Sequence, residues 1–196
     1  VVFNNPSDGS SALICSKPGN PEDGGWKAHA AVEVSKSCLD GNNNYFNCSS
    51  FQYDENGDIN AKKGNFSACH VLVLDDVGTK IPAEALKEFQ FSWKLETSPG
   101  NQQYGLIFNE PVTDGQLATS IHDALIDKGW CDAGAGGPMS RWARLPVGIN
   151  GKPKYHDEGG SPFKCRLIEW NPDVRYTPDL MIETFDLNIR KETSKA

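Results

Sequence analysis

The sequence predicts an α+β domain, with strands mixed among two or three helices. Three stretches carry that prediction. Val71-Leu72-Val73-Leu74 is a continuous apolar run that ends on two adjacent carboxylates, Asp75 and Asp76, before a Gly78-Thr79 turn. Phe91, Trp93 and Leu95 alternate with polar neighbours, the period of a half-buried strand. Leu117, Ile121, Ala124 and Leu125 fall at i, i+4, i+7 and i+8, the stripe of an amphipathic helix. Asp114 stands near the start of that helix and Gly129 after its end.

The other elements follow in chain order. Residues 1–25, rich in Asn, Ser, Pro and Gly, read as a poorly ordered N-terminal segment, apart from Ala12 to Cys15. Trp26 to Val34 and Tyr45 to Tyr53 read as strands. Asp54-Glu55-Asn56-Gly57-Asp58 opens like a calcium loop, but its Gly comes too early and no Glu closes it, so Asn-Gly is a hairpin turn. Pro82-Ala83-Glu84 begins a short helix through Phe89. Thr97-Ser98-Pro99-Gly100-Asn101 is turn chemistry leading to a partner strand over Tyr104 to Phe108. Asp132 opens a Gly-rich loop, and Trp142 to Ile149 and Phe163 to Trp170 are further strands around a hairpin with a long excursion. Thr177 and Pro178 make an N-cap and first helical position, with Leu180, Met181, Phe185 and Leu187 as the apolar face. Residues 26–190 are thus one domain and 191–196 a tail or linker.

Composition narrows the function classes. The chain of 196 residues carries a net charge of -7, which argues against nonspecific coating of duplex DNA. Within that acidic body, Arg141, Arg144, Lys152, Lys154, Lys164 and Arg166 fall in 26 residues whose only acids are Asp157 and Glu158, a local anion-binding face. Six cysteines without a CxxC pair read as thiols in a reducing cytosol, and the spacing of Cys38, Cys48, Cys69 and His70 fits no zinc pattern. A mean hydropathy of -0.51, with no apolar run near the roughly 20 residues a membrane span needs, gives no membrane partner. The chain opens on Val1 and not Met, which reads as a domain cut from a longer polypeptide. No GxxxxGK[ST], GxSxG, HxH or HxxxH pattern is present, against a P-loop ATPase, an elbow-type hydrolase or a paired-histidine nuclease.

Three segments stand out together: Leu74-Asp75-Asp76-Val77-Gly78-Thr79-Lys80, then Thr97 to Gly105, then Asp132 followed by Ser140-Arg141-Trp142-Ala143-Arg144 through Lys152. In this order and spacing the chain resembles the catalytic core of plasmid and phage replication primases, the RepB-like branch of the archaeo-eukaryotic primase superfamily, over roughly residues 45–187. The resemblance implies an RRM-like mixed sheet with flanking helices, elaborated by N-terminal strands. It also implies a primase or primase-polymerase acting on a single-stranded DNA template with nucleoside triphosphates, in the cytoplasm, as members often fused to a helicase do.

The resemblance further assigns roles. Asp75, Asp76 and Asp132 match the family's metal-binding acids, for Mg²⁺ or Mn²⁺, a set of carboxylates suited to two-metal nucleotidyl transfer. Ser98, Gly100, Asn101 and Gln103 match the motif that binds the triphosphate, where Gly permits close approach and the amides donate hydrogen bonds. Arg141, Arg144 and Lys152 match the third motif and suit triphosphate or template backbone. Lys154, Lys164 and Arg166 extend the basic stretch toward nucleic acid.

Two departures accompany the match. The wider superfamily alternates its acids as aspartate-x-aspartate, whereas adjacent acids on a regular strand point to opposite faces. The pair must therefore sit at a strand end, bulge or turn, or only one of the two binds metal. The wider superfamily also has a His where this chain has Gln103, which donates a hydrogen bond but carries no charge. Two rival readings use the same residues. One is a catalytically idle module that binds single-stranded nucleic acid with Trp142, Tyr104 or Trp170 as stacking platforms; the other is a metal-dependent nuclease.

Overall fold

A computed structural model gives the fold of residues 8–32 and 34–189. The elements in chain order are β1 (Ser11–Lys17), β2 (Ala28–Ala30), α1 (Val34–Ser37), β3 (Asn43–Phe51), β4 (Phe66–Val77), β5 (Trp93–Ser98) and β6 (Asn101–Val112). After them come α2 (Gly115–Asp127), β7 (Trp142–Arg144), β8 (Ile149–Asn150), β9 (Phe163–Lys164), β10 (Arg166–Trp170), β11 (Arg175–Tyr176) and α3 (Pro178–Thr184). The expected α+β class holds: one large, mostly antiparallel sheet with few helices.

The sheet runs β10-β5-β6-β4-β3-β1-β2, with β11 added parallel to β6 and β7 added antiparallel to β3. β4 is its spine. Leu72 and Leu74 enter one apolar cluster with Leu106 and Phe108 of β6 and Ile121 and Leu125 of α2. Val71 and Val73 enter a second cluster on the other face, with Trp93, Leu95 and Ile107. Covered on both faces from Val71 to Leu74, β4 carries an apolar residue at each of those positions, which is why the run is continuous and does not alternate. Each of these fully buried side chains contributes about 1.5–3 kcal/mol by leaving water.

α2 and α3 close the first face. Asp114 caps α2 by accepting from the Gln116 and Leu117 N–H groups at 2.9 and 3.1 Å. Thr177 caps α3 in the same way through Leu180 N at 3.1 Å, and Met181 and Phe185 are buried beneath it. Leu180, expected on that apolar face, is 46% exposed instead, since the seven-residue helix presents only one narrow stripe.

Several expected boundaries shift. The exception expected at Ala12 to Cys15 is β1, which extends over Ser11–Lys17 as an inner strand of the sheet with Leu13 and Ile14 buried; residues 1–7 and 190–196 lie outside the described residues. The expected strand over Trp26 to Val34 shrinks to Ala28–Ala30, because Gly24 and Gly25 both turn at positive φ and α1 begins at Val34. The expected helix after Pro82 is one 3-10 turn, Ala83–Leu86. The strand expected over Trp142 to Ile149 breaks at Pro146 and at Gly148, where φ is 117° and a Cβ would meet the Asn42 carbonyl at 2.4 Å. Asp54 closes the turn before Asp58 with its own carboxylate, as an Asx turn in a hairpin does.

The topology makes one feature that matters for function. β3 pairs with β4 through residues 49–51 and with β7 through residues 45–47. Its edge is therefore shared, and the sheet forks where β4 leaves β3 and β7 takes over.

Candidate active site

The acids stand where β4 ends. Leu74 pairs with Tyr104 and Val77 with Gln102, so three steps on β4 oppose two on β6: a β-bulge. Asp76 lies within it at φ 59°, a left-handed conformation that Asp tolerates better than most residues. The extra residue and the reversed φ bring two adjacent side chains to one side. Asp75 and Asp76 line the same two clefts, which a regular strand would forbid.

The first cleft, of about 210 Å³, is polar and open. Asp75, Asp76, Ser98, Asn101, Gln103, Arg141, Arg144 and Lys152 all border it, so the structure gathers eight of the residues that the sequence singled out. Its hub is Asp75. The Oδ2 of Asp75 accepts from Gln103 Nε2 at 3.2 Å and from Arg141 Nη2 at 3.3 Å, while its Oδ1 accepts from the Asp76 N–H at 2.9 Å. Gln103 in turn accepts the Arg144 N–H on its Oε1 at 3.0 Å, tying β6 to β7 across the fork.

Arg141 is 3% exposed, and its Nε and Nη1 make no hydrogen bond among the described residues. A buried guanidinium paired with one carboxylate keeps positive charge fixed beside the cleft. Arg144 lays its guanidinium over the Tyr45 ring at 4.6 Å and donates to the Ile149 carbonyl at 2.8 Å, which holds β8 against the site.

The turn between β5 and β6 forms the opposite wall. Asn101 donates to Asp76 Oδ1 at 3.1 Å, and its own Oδ1 accepts from the Thr79 hydroxyl at 2.9 Å. Gly100 itself does not border the cleft; its N–H is held by Glu96 Oε1 at 3.0 Å. A Cβ on Gly78 would lie 2.4 Å from the Gly100 carbonyl, so glycine there lets the turn close onto the acids. Ser98 hydrogen-bonds the Tyr155 phenol. Burial would raise the pKa of that phenol, but the bonds from Ser98 and Lys154, with the charges of Lys154 and Lys152, bring it below its usual value.

Asp132 lies in the second cleft, of about 290 Å³, with Asp75 and Asp76. The three acids do not converge on one point: among the described residues no three His, Cys, Asp or Glu side chains are grouped to hold a metal ion. Asp132 caps the turn after it through Gly134 N at 3.0 Å. The Lys80 ammonium lies 2.6 Å from Asp76 and 3.8 Å from Asp132, so these two carboxylates already share one cation. Burial would raise the pKa of Asp76, yet the Lys80 and Asn101 hydrogen bonds and the charges of Lys80 and Arg141 hold it below the ordinary carboxylate range. Asp76 and Asp132, which already share the Lys80 cation, offer oxygen donors of the kind a hard divalent cation takes.

The rest of the basic stretch stays outside. Arg166 is ion-paired with Glu96, Lys164 is exposed on β9, and Lys154 lies over the Tyr155 ring at 4.9 Å. Tyr104 is buried against Phe91, so it offers no stacking surface; Trp170 is 43% exposed on β10. Burial pushes the Cys15, Cys69 and Cys131 thiols up to about 12, which leaves them neutral and poor metal ligands.

Sequence reasoning missed several wall residues: Tyr45, Thr97, Asn150 and Tyr155. Asn150 donates to the Thr97 carbonyl at 2.7 Å, and buried Asn43 accepts from Gly151 N at 2.8 Å. The signal for Asn43 was present in the run Asn42-Asn43-Asn44, since amides are rare at the start of a strand unless they bond to neighbouring loops.

No family model and no curated protein matches the sequence. Solved structures do. The AEP domain of the cyanophage S-2L primase-polymerase superposes with a TM-score of 0.62 at 15% identity, covering 88% of each chain. The catalytic domain of the primase RepB', solved in complex with initiator DNA, gives 0.57 at 15% identity over 90% of this chain and 86% of that one. A longer RepB' chain gives 0.58 at 16% identity, with 90% of this chain covering 57% of that one. The chain has the RepB-like primase-polymerase fold. Among the described residues, no helix is long and apolar enough to cross a membrane.

Proposed function

We propose that this is the catalytic domain of a DNA primase or primase-polymerase from a phage or plasmid replication protein. It would join nucleoside triphosphates on a single-stranded DNA template in the cytoplasm, with a fused or associated helicase supplying the strand. The observation that carries the reading is the convergence of three separate segments on one cleft. Asp75 and Asp76 come from β4, Ser98, Asn101 and Gln103 from the β5–β6 hairpin, Arg141 and Arg144 from the entry to β7 and its last residue, and Lys152 from the loop beyond β8.

In the reaction, a 3′-hydroxyl oxygen forms a bond to the α-phosphorus of the triphosphate, the bond from that phosphorus to the bridging oxygen breaks, and pyrophosphate leaves as the hydroxyl proton is lost. A divalent cation bound by Asp75, Asp76 and Asp132 would lower the pKa of the hydroxyl and neutralise charge on the phosphates. Arg141, Arg144 and Lys152 place fixed positive charge along the triphosphate. Asn101 and Gln103 hold the two aspartates in orientation through their amide groups. Asp75 and Asp76 are also satisfied by this chain's own cations, Arg141 and Lys80, and that favours a second reading, an idle module that only binds single strands.

Label incorporation on a single-stranded DNA template, with and without a primer, in Mg²⁺ or Mn²⁺, separates these readings. The control is Asp75→Asn/Asp76→Asn, chosen because Asn tolerates the left-handed backbone at position 76. Product without a primer that vanishes in the control is the expected result, and product only with a primer makes the domain a polymerase. Single-strand binding with no product in either metal would overturn the enzyme reading, and loss of the template would point to a nuclease.

A further inference from the structure

A second recess, of about 560 Å³, adjoins the polar cleft and shares Tyr45, Trp142 and Lys152 with it. Its character is different. Tyr45 of β3 and Trp142 of β7 stand on one face of the sheet, because Trp142 pairs with Asn47, two residues from Tyr45. Trp26, from the loop between β1 and β2, also lines the recess and meets Tyr45 edge to face, with ring centroids 5.2 Å apart and planes at 88°. The Trp26 indole N–H donates to the Pro21 carbonyl at 3.0 Å, which pins the ring by its edge, and the side chain is 39% exposed.

Charge sits at the boundary between the two recesses. Lys152 pairs with Glu22 at 3.0 Å there, and Lys17 lies 5.6 Å from the centre of the Trp26 ring. Arg144 already lies over the Tyr45 ring, so Trp26 and Trp142 are the rings left to meet a flat apolar group, and a recess bordering a cleft lined by Arg141, Arg144 and Lys152 suits such a group with an anionic part joined to it. Nucleobases linked to phosphate are that chemistry, since a base stacks on aromatic rings while its phosphates take the cations.

We propose that the recess of Trp26, Tyr45 and Trp142 receives a nucleobase whose phosphate lies in the neighbouring cleft. The inference rests on the reading of that cleft as a nucleotide site and adds to it a base-holding subsite built by the β1–β2 loop, β3 and β7. The base belongs either to the incoming nucleoside triphosphate or to the template strand.

Binding of each nucleoside triphosphate, inorganic tripolyphosphate, a single-stranded DNA oligonucleotide and the same strand made abasic would be measured on wild type, Trp26→Ala and Trp26→Phe, with melting curves to establish folding. Loss of one aromatic platform corresponds to a drop in affinity of about fivefold to a hundredfold. Trp26→Ala should show that drop for ligands carrying a base, Trp26→Phe should restore most of it, and tripolyphosphate and the abasic strand should bind all three proteins alike. A drop confined to the triphosphates assigns the recess to the incoming base; one confined to the oligonucleotide assigns it to the template. Equal binding of every ligand by wild type and Trp26→Ala overturns the proposal. Wild-type incorporation assays separate the two layers: incorporation with unchanged base binding in Trp26→Ala removes the subsite and keeps the polymerase. No incorporation with a base-dependent drop does the reverse.

Discussion

Gln103 and Asp75 meet at 3.2 Å across the β4–β6 pair, and the same Gln103 side chain takes the Arg144 backbone N–H at 3.0 Å. One amide thus fixes an acid from β4 and the start of the basic segment on β7, two parts of the chain more than 60 residues apart. An imidazole could reach one of these partners with a donor and the other with an acceptor, but an amide does both without a dependence on pH. Gln103 therefore positions both groups without a titratable atom.

Gln103→Leu removes both bonds at a site only 4% exposed and leaves the Arg144 N–H without a partner. Unfolding in urea should show a loss of about 1–3 kcal/mol. Nucleotide incorporation should fall at least about tenfold, since misplacing Asp75 by a fraction of an ångström disturbs the reacting geometry. Gln103→Glu should keep the fold better but place a second negative charge beside Asp75 and lower activity as well.

Asp76→Asn and Asp76→Val should part company. Both lose the carboxylate and should lose incorporation by about a hundredfold or more. Asn accepts φ 59°, so its melting temperature should stay close to wild type, while β-branched Val at that φ should cost about 1–3 kcal/mol. Equal stability of the two variants would show that the bulge is not held as described.

Gly105 lies beneath the Trp93 ring, its cross-strand partner, and a Cβ there would come within 2.2 Å of the indole. Gly105→Ala should displace Trp93 from the second core and destabilise the domain by about 1–3 kcal/mol, read from thermal or denaturant unfolding. Gly78→Ala, whose Cβ would meet the Gly100 carbonyl, should instead open the hairpin away from the acids and lower activity more than stability.

Acid should unfold the domain through its buried histidines first. Burial lowers the His70 pKa to about 4, against an opposing pull from Asp8. Burial, then the Arg141 charge, lowers that of His122. Both are neutral when folded and gain protons when unfolded, so stability falls as pH drops from 6.5 toward 4. For His70 the shift corresponds to roughly 3 kcal/mol across that window. Asp76, depressed below 3.8, keeps its contribution above that value and loses it only at lower pH. Melting curves from pH 7 to 4 should show the decline, and His70→Gln should flatten part of it.

Divalent metal should raise the melting temperature of wild type, by an amount that grows with the logarithm of its concentration. The Asp75→Asn/Asp76→Asn protein should show no such rise. Lys80→Met removes the cation now shared by Asp76 and Asp132, so Mn²⁺ should bind this variant at lower concentration, measurable by calorimetry.

The sequence by itself determined the α+β class, the apolar spine of β4, the caps of α2 and α3, and the three segments that meet at the cleft. The class, the spine and the caps are local signals, since periodicity, cap residues and turn chemistry act between neighbours in the chain, whereas the three segments stood out together through the family resemblance. Tertiary structure alone decided the rest. Asp75 and Asp76 share one side only because β4 bulges against β6, and that register depends on a strand 25 residues downstream. Ala12 to Cys15 stood out in the sequence, but the strand over residues 11–17 became an inner one because β2 and β3 complete its hydrogen bonds on either side. Arg141, Arg144 and Lys152 entered the cleft while Arg166 went to Glu96, a choice set by the fork between β4 and β7 and by which carboxylate each cation met in space. Pairing partners and ion pairs at long separation are properties of packing, and no window along the chain contains them.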